Sequence, residues 1–193
     1  AISMHRSSWS YVLEVNPHRR SVAWLGYDSP HGTAYLPFMG AATRGAPEGF
    51  HSHEGYMAKF STKVAWWAFN MINQYTDLNF ALINKDVRER ARKIELEAAD
   101  KLAAWNKEAN YATEEGALEL LTAQSNAFAE AKVEEWWQFA WSLFAKYGRY
   151  TITHNETAAG STLQRYPDWW VSSPEVGYTM WAPQGPFHGI EIV

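Results

Sequence analysis

The segment from Val64 to Ala109 most constrains what this chain can fold into. Within it, Ile83, Val87, Ala91, Ile94, Ala98, Leu102 and Trp105 recur at steps of three or four residues. That spacing returns each side chain to one face of an α-helix, while "RERARK" and "ELEAADK" place their charges opposite. In proteins most helical stability comes from packing of an amphipathic face, so this apolar stripe is expected to meet a packing surface. The segment also carries adjacent tryptophans, Trp66 and Trp67. Neighbours on a helix are about 100° apart, so one face cannot bury both. One indole is expected to face the local strands and the other to meet elements supplied from elsewhere.

The surroundings of that segment set the fold class. From Ala1 to about Phe60, "SYVLEV", "SVAWLGYD" and "TAYLPFMG" read as strands, with Tyr11, Leu13 and Val15 on one face of the first. Asn16-Pro17, Ser29-Pro30 and His31-Gly32 separate them at hairpin spacing, which predicts consecutive antiparallel strands. The runs are apolar on both faces, which predicts a sheet covered on both sides. Residues 61–148 are helical. After a break near "NKEANYAT", a second long helix starts with Thr113 as N-cap and Glu114 and Glu115 in its first turn. Leu120, Leu121, Phe128, Trp137, Trp141 and Phe144 are expected on its buried side, with Gly148 as the stop. A short link between two long helices predicts an antiparallel pair. From 149 to 193 no period survives, and the Pro-, Gly- and Trp-rich stretch reads as an irregular wrap. The expectation is an α+β segment, with no domain boundary placed inside residues 1–193.

Composition narrows the function. With 11 Trp, 10 Tyr and 9 Phe, the chain carries much rigid ring surface that must be buried or must meet a partner. A net charge of −4 with intermixed signs gives no basic stripe, which argues against nucleic acid. No apolar run is long enough to span a bilayer. Zero cysteines exclude disulfides, thiolate metal sites and a cysteine nucleophile within these residues. A start at Ala1 is read as a processed product or a piece of a longer polypeptide. The sequon Asn155-Glu156-Thr157 would accept a glycan at Asn155, and it tilts the expected setting towards a secreted or lysosomal-type compartment.

Three segments bear a family likeness. "SVAWLGYDSPHGTAYLPFMG" is similar to the strand–turn–strand of the dipeptidase A and secernin family of cysteine hydrolases. "VAWWAFNMINQYTDLNFALINKDV" resembles that family's next segment, an aromatic helix with Trp-Xaa-Phe-Asn running on to Asp-Val. "RYPDWWVSSPEVGY" resembles its C-terminal Trp…Val-Gly-Tyr ending. The order is collinear from about Tyr11 to Tyr178. The resemblance implies an N-terminal-nucleophile hydrolase, with a four-layer αββα sandwich of which this chain is the C-terminal part. It implies amide hydrolysis of short peptides by a terminal cysteine whose own α-amine acts as base. No cofactor is implied. The absence of cysteine places that nucleophile on an N-terminal chain, and a homo-oligomer of the resulting heterodimer is a further expectation. No catalytic residue is therefore expected in this chain.

Candidate binding residues lie in the loop "GAATRGAPEGFHSHEG". Arg44, His51 and His53 would hold a peptide carboxylate or shape the pocket, because loops at strand ends commonly line active sites. An ordinary surface loop is the plain alternative. His51 and His53 could supply two metal ligands, but no third ligand stands at a recognisable spacing, so no metal is expected. Asn70, an amide in an apolar helix, needs hydrogen-bond partners, and a tie to neighbouring backbone is favoured over catalysis. Trp66-Trp67 and Trp136-Trp137 read as core and interface, whereas Trp169-Trp170 remains a candidate for stacking on a flat ligand. Two other functions stay open: a non-catalytic relative serving binding or assembly, and an aromatic-rich carbohydrate-binding module.

Overall fold

The computed structural model describes residues 4, 7–16, 19–51, 59–148, 151–153 and 161–163. Three strands, β1 (Trp9–Asn16), β2 (Arg19–Tyr27) and β3 (Leu36–Met39), form an antiparallel sheet in the order β1-β2-β3. Trp9 pairs with Tyr27 and Val22 with Met39, so β2 is central and β1 and β3 are its neighbours. Three helices follow: α1 (Ala65–Leu78), α2 (Phe80–Ala109) and α3 (Glu114–Tyr147). The α+β class, with antiparallel strands ahead of long helices, is thus as the sequence pattern implied.

The apolar stripe read along α2 is buried at every one of its seven positions, and Ala109 extends it. Its partner is α3, and the contacts run in opposite chain directions. Trp105 meets Phe128 edge-on at 5.9 Å, Lys132 reaches Glu97 at 2.6 Å, and Arg90 reaches Glu135 at 3.1 Å. The two helices are therefore antiparallel. Thr113 caps α3 as expected, its Oγ1 accepting the N–H of Gly116 at 3.2 Å, and the helix ends just before Gly148.

Three expectations need correction. The helical run from Val64 to Ala109 is not continuous: it breaks at Asn79, whose backbone adopts φ −151° and ψ 71°. The Asn79 N–H closes α1 on the Thr76 carbonyl, while its own carbonyl accepts the N–H of Ile83 to open α2. The apolar spacing carries across this joint, so periodicity alone did not reveal it. On α3, Leu121, Phe128 and Trp137 are buried, but Trp141 and Phe144 are about half exposed. Trp136, Phe139 and Leu143 take the buried places, and Trp136 stacks on Phe69 of α1 at 5.3 Å. Finally, the described residues do not cover the sheet throughout. The helices pack on β2 and β3, whereas Trp9, Tyr11, Val12, Leu13 and Val15 of β1 are all exposed.

The tryptophan pair resolves as two different environments. Trp66 is buried and donates its indole N–H to the Ser8 carbonyl at 3.1 Å. Trp67 stays half-buried, with its N–H on the Lys59 carbonyl at 3.1 Å and Phe60 edge-on at 5.5 Å. Some of the shelter expected from elsewhere is therefore local.

The chain divides into two compact units, Ala1–Ala145 and Lys146–Val193. In the second, β4 (Thr151–Thr153) and β5 (Ser161–Leu163) pair antiparallel, a hairpin within the stretch that read as irregular. The remaining part of that wrap, including Asn155 and Trp169-Trp170, lies outside the described residues.

Candidate functional site

The connection from β2 to β3, "DSPHGTAY", begins with a residue in an uncommon backbone conformation. Asp28 has φ 62°, a left-handed conformation that ordinary side chains avoid but Asp tolerates. Its side chain turns inward and is only 5% exposed. Asn70 and Asn73 lie three residues apart and hence on one face of α1. Both donate their amide N–H to Asp28 Oδ2, at 3.2 and 3.1 Å. Asn70 thus ties its helix to a carboxylate rather than to backbone. Gly32 completes the joint by close approach, since a Cβ there would sit 1.9 Å from Asn73 Oδ1.

This cluster also holds the start of β1. The Asp28 N–H donates to the Ser8 carbonyl at 2.9 Å, the same oxygen that accepts Trp66, and the Ser29 hydroxyl donates to the Met4 carbonyl at 3.1 Å. Burial pushes the Asp28 carboxyl above its ordinary range, against the opposing pull of the two amides, the Ser29 backbone and His31. A carboxylate supplied with amide donors yet removed from water is a rigid anchor first. Asp28 therefore positions the loop that follows it.

Beyond that anchor the loop borders a groove of about 810 Å³ against α2. His31 forms one wall, edge-on to Phe80 at 5.3 Å, with its Nε2 3.9 Å from Asp77 Oδ1. Asn84, Arg88, Arg92 and Glu95 of α2 form the other. Glu95 Oε1 accepts the backbone N–H of Tyr35 at 3.1 Å, which fastens loop to helix. Burial raises the Glu95 carboxyl above its ordinary range, opposed by that hydrogen bond.

The loop residues favoured by the sequence pattern do not converge. Arg44 is exposed and borders a groove of about 300 Å³ facing Asn126 and Glu130 of α3. His51 is exposed and borders a separate recess of about 230 Å³ with Trp9, Leu25, Tyr27, Phe50 and Trp66. His53 lies outside the described residues. Among the described residues, no three His, Asp or Glu side chains stand together in a way that could hold a metal.

Sequence reasoning passed over Asp28, Asn73, Glu95 and the two arginines. "DSPHG" registered only as turn signals and "RERARK" only as a solvated face. One clue was available: Asn70 and Asn73 share a largely apolar helix face, and amides turned towards a core need a polar partner.

Comparison with known proteins gives one result. Residues 1–93 match the model of peptidase family C69. That span holds the whole three-stranded sheet, the Asp28 anchor, α1, and α2 as far as Lys93. No curated protein and no solved structure matches the chain.

Proposed function

We propose, from the match of residues 1–93 to peptidase family C69, that this chain is the C-terminal chain of a dipeptidase-like cysteine hydrolase. Its substrates are short peptides, and a separate N-terminal chain supplies the nucleophile. The family match carries the peptidase-like reading. The finer assignment draws support from the sequence, which holds no cysteine. A terminal cysteine on the partner would attack the peptide carbonyl as thiolate, its α-amine taking the thiol proton and returning it to the leaving amine. Water then cleaves the thioester. The present chain contributes sheet, helices and a wall of the substrate site.

Sequencing the N-terminus of every polypeptide that copurifies tests this directly. The expected result is a second chain that begins with Cys, together with dipeptide hydrolysis that thiol alkylation abolishes. A complete complex with no terminal Cys, Ser or Thr overturns the enzyme reading. In that case a binding or assembly role is favoured by the exposed face of β1, where Trp9 and Tyr11 stack at 5.4 Å. The sequon supports a secreted or lysosomal-type setting, which a glycan found on Asn155 by mass spectrometry would establish.

A further inference from the structure

We propose that the groove between the Pro30–Tyr35 loop and α2 binds a peptide of two or three residues by its two charged ends. Arg88 and Arg92 take the carboxylate, and Glu95 takes the ammonium. The inference rests on the peptidase reading only in preferring a peptide to another zwitterion.

Charge is the first support. Arg88 and Arg92 stand four residues apart on α2 and border the groove together. Neither makes an ion pair with any described residue. Like charges at this spacing repel, and an anion held between them relieves that repulsion through bidentate guanidinium contacts. Glu89 and Glu95 of the same helix border the groove too, so its α2 wall carries two guanidiniums and two carboxylates. That balance suits a ligand carrying both charges better than a simple anion.

The deeper carboxylate is the second support. One oxygen of Glu95 is engaged by the Tyr35 N–H, which leaves the other for a ligand cation. Burial keeps this carboxyl reluctant to ionise, and an ammonium placed against it would reverse that. Polar atoms nearby are unsatisfied. Among the described residues, Asn84 Oδ1 and the hydroxyl of Thr33, a residue only 4% exposed, have no hydrogen-bond partner. Buried polar atoms in native proteins rarely stay unpaired, and both residues border the groove.

Length is the third. Glu95 lies one short step from Arg92 and nearly two turns from Arg88, about 4.5 and 10.5 Å along the helix axis at roughly 1.5 Å per residue. An extended peptide covers about 3.3–3.6 Å per residue, so two or three residues bridge this interval and longer ones overshoot it. The volume, about 810 Å³, falls within the range of roughly 300–1,000 Å³ usual for small-ligand pockets.

The test uses the copurifying complex after thiol alkylation, so that binding is read without turnover. Alanyl-alanine is titrated by calorimetry beside its N-acetyl and C-amide forms. The unaltered protein should bind the free dipeptide at least tenfold more tightly than either blocked form. Glu95→Gln keeps an oxygen for the Tyr35 N–H and should lose only the preference for the free amine. The double variant Arg88→Gln/Arg92→Gln should lose only the preference for the free carboxylate. Equal binding of all three ligands by the unaltered protein overturns the proposal, as does unchanged discrimination in the variants. Hydrolysis by the non-alkylated complex separates the two readings. Binding without hydrolysis removes the peptidase assignment and leaves the groove. Hydrolysis with KM unmoved by these substitutions removes the groove and leaves the assignment, and neither binding nor hydrolysis removes both.

Discussion

Helix α2 and strand β1 both carry many apolar side chains, yet the protein treats them in opposite ways. Every stripe residue of α2 is buried. On β1, Trp9 is 55% and Val15 76% exposed, and Leu13 and Val12 lie between them. The strand also sits at the end of the sheet order, and among the described residues nothing pairs with its outer edge. An uncovered apolar edge strand is a liability that proteins normally blunt with charge or cover. Apolar content alone therefore does not determine burial here. An amphipathic period creates one face that its own neighbours can cover, whereas β1 presents apolar groups on two faces and an open edge.

The sharpest way to break this contrast is on the buried side. Trp136 is 1% exposed and stacked on Phe69, so Trp136→Ala should cost about 3–5 kcal/mol in urea denaturation. A loss comparable to that of a surface residue would mean the helical layer is not the core. Gly32→Ala comes next. Its methyl group meets Asn73 Oδ1, a short buried side chain with little room to retreat, so a loss of about 1–3 kcal/mol is expected. An unchanged midpoint would show that the Asp28 joint is loose.

The pH dependence sharpens the comparison next. Asp28 and Glu95 have folded-state carboxyls raised above their unfolded values. The folded protein then holds protons that the unfolded chain releases, so these groups favour folding as pH falls from neutral towards their folded pKa values. Glu135 works in the opposite sense. Partial burial pushes it up, but Lys132 and Arg90 outweigh that and hold it low. Its contribution is present above about pH 4.5, the ordinary glutamate value, and is lost as pH falls through the folded value. Tm measured from pH 7 down to pH 5 should therefore rise more in the unaltered protein than in Asp28→Asn. Parallel curves would rule out a buried, proton-holding Asp28.

The smallest effect is expected on the open strand. Leu13→Ser should change the stability of the isolated chain by no more than about 0.5 kcal/mol, as surface substitutions usually do. A loss of several times that would show that β1 is covered in solution. Comparing the same variant alone and in the copurified complex then reports whether the partner lies on this strand.

The helical stripe, the Thr113 cap, the stop before Gly148 and the order of strands before helices were legible because each follows from local rules of spacing and capping. The joint at Asn79 was hidden because both helices bury their apolar residues in nearly the same phase. Asn70 could be named but not joined to Asp28 and Asn73, since their meeting depends on where α1 crosses the end of β2. Arg44 and His51 show the converse, for closeness in sequence did not bring them to one recess. Periodicity and chain ends are properties of neighbouring residues. Which carboxylate is sheltered, and which arginines face a groove, follow from contacts across 40 or 60 positions, and no local pattern encodes those.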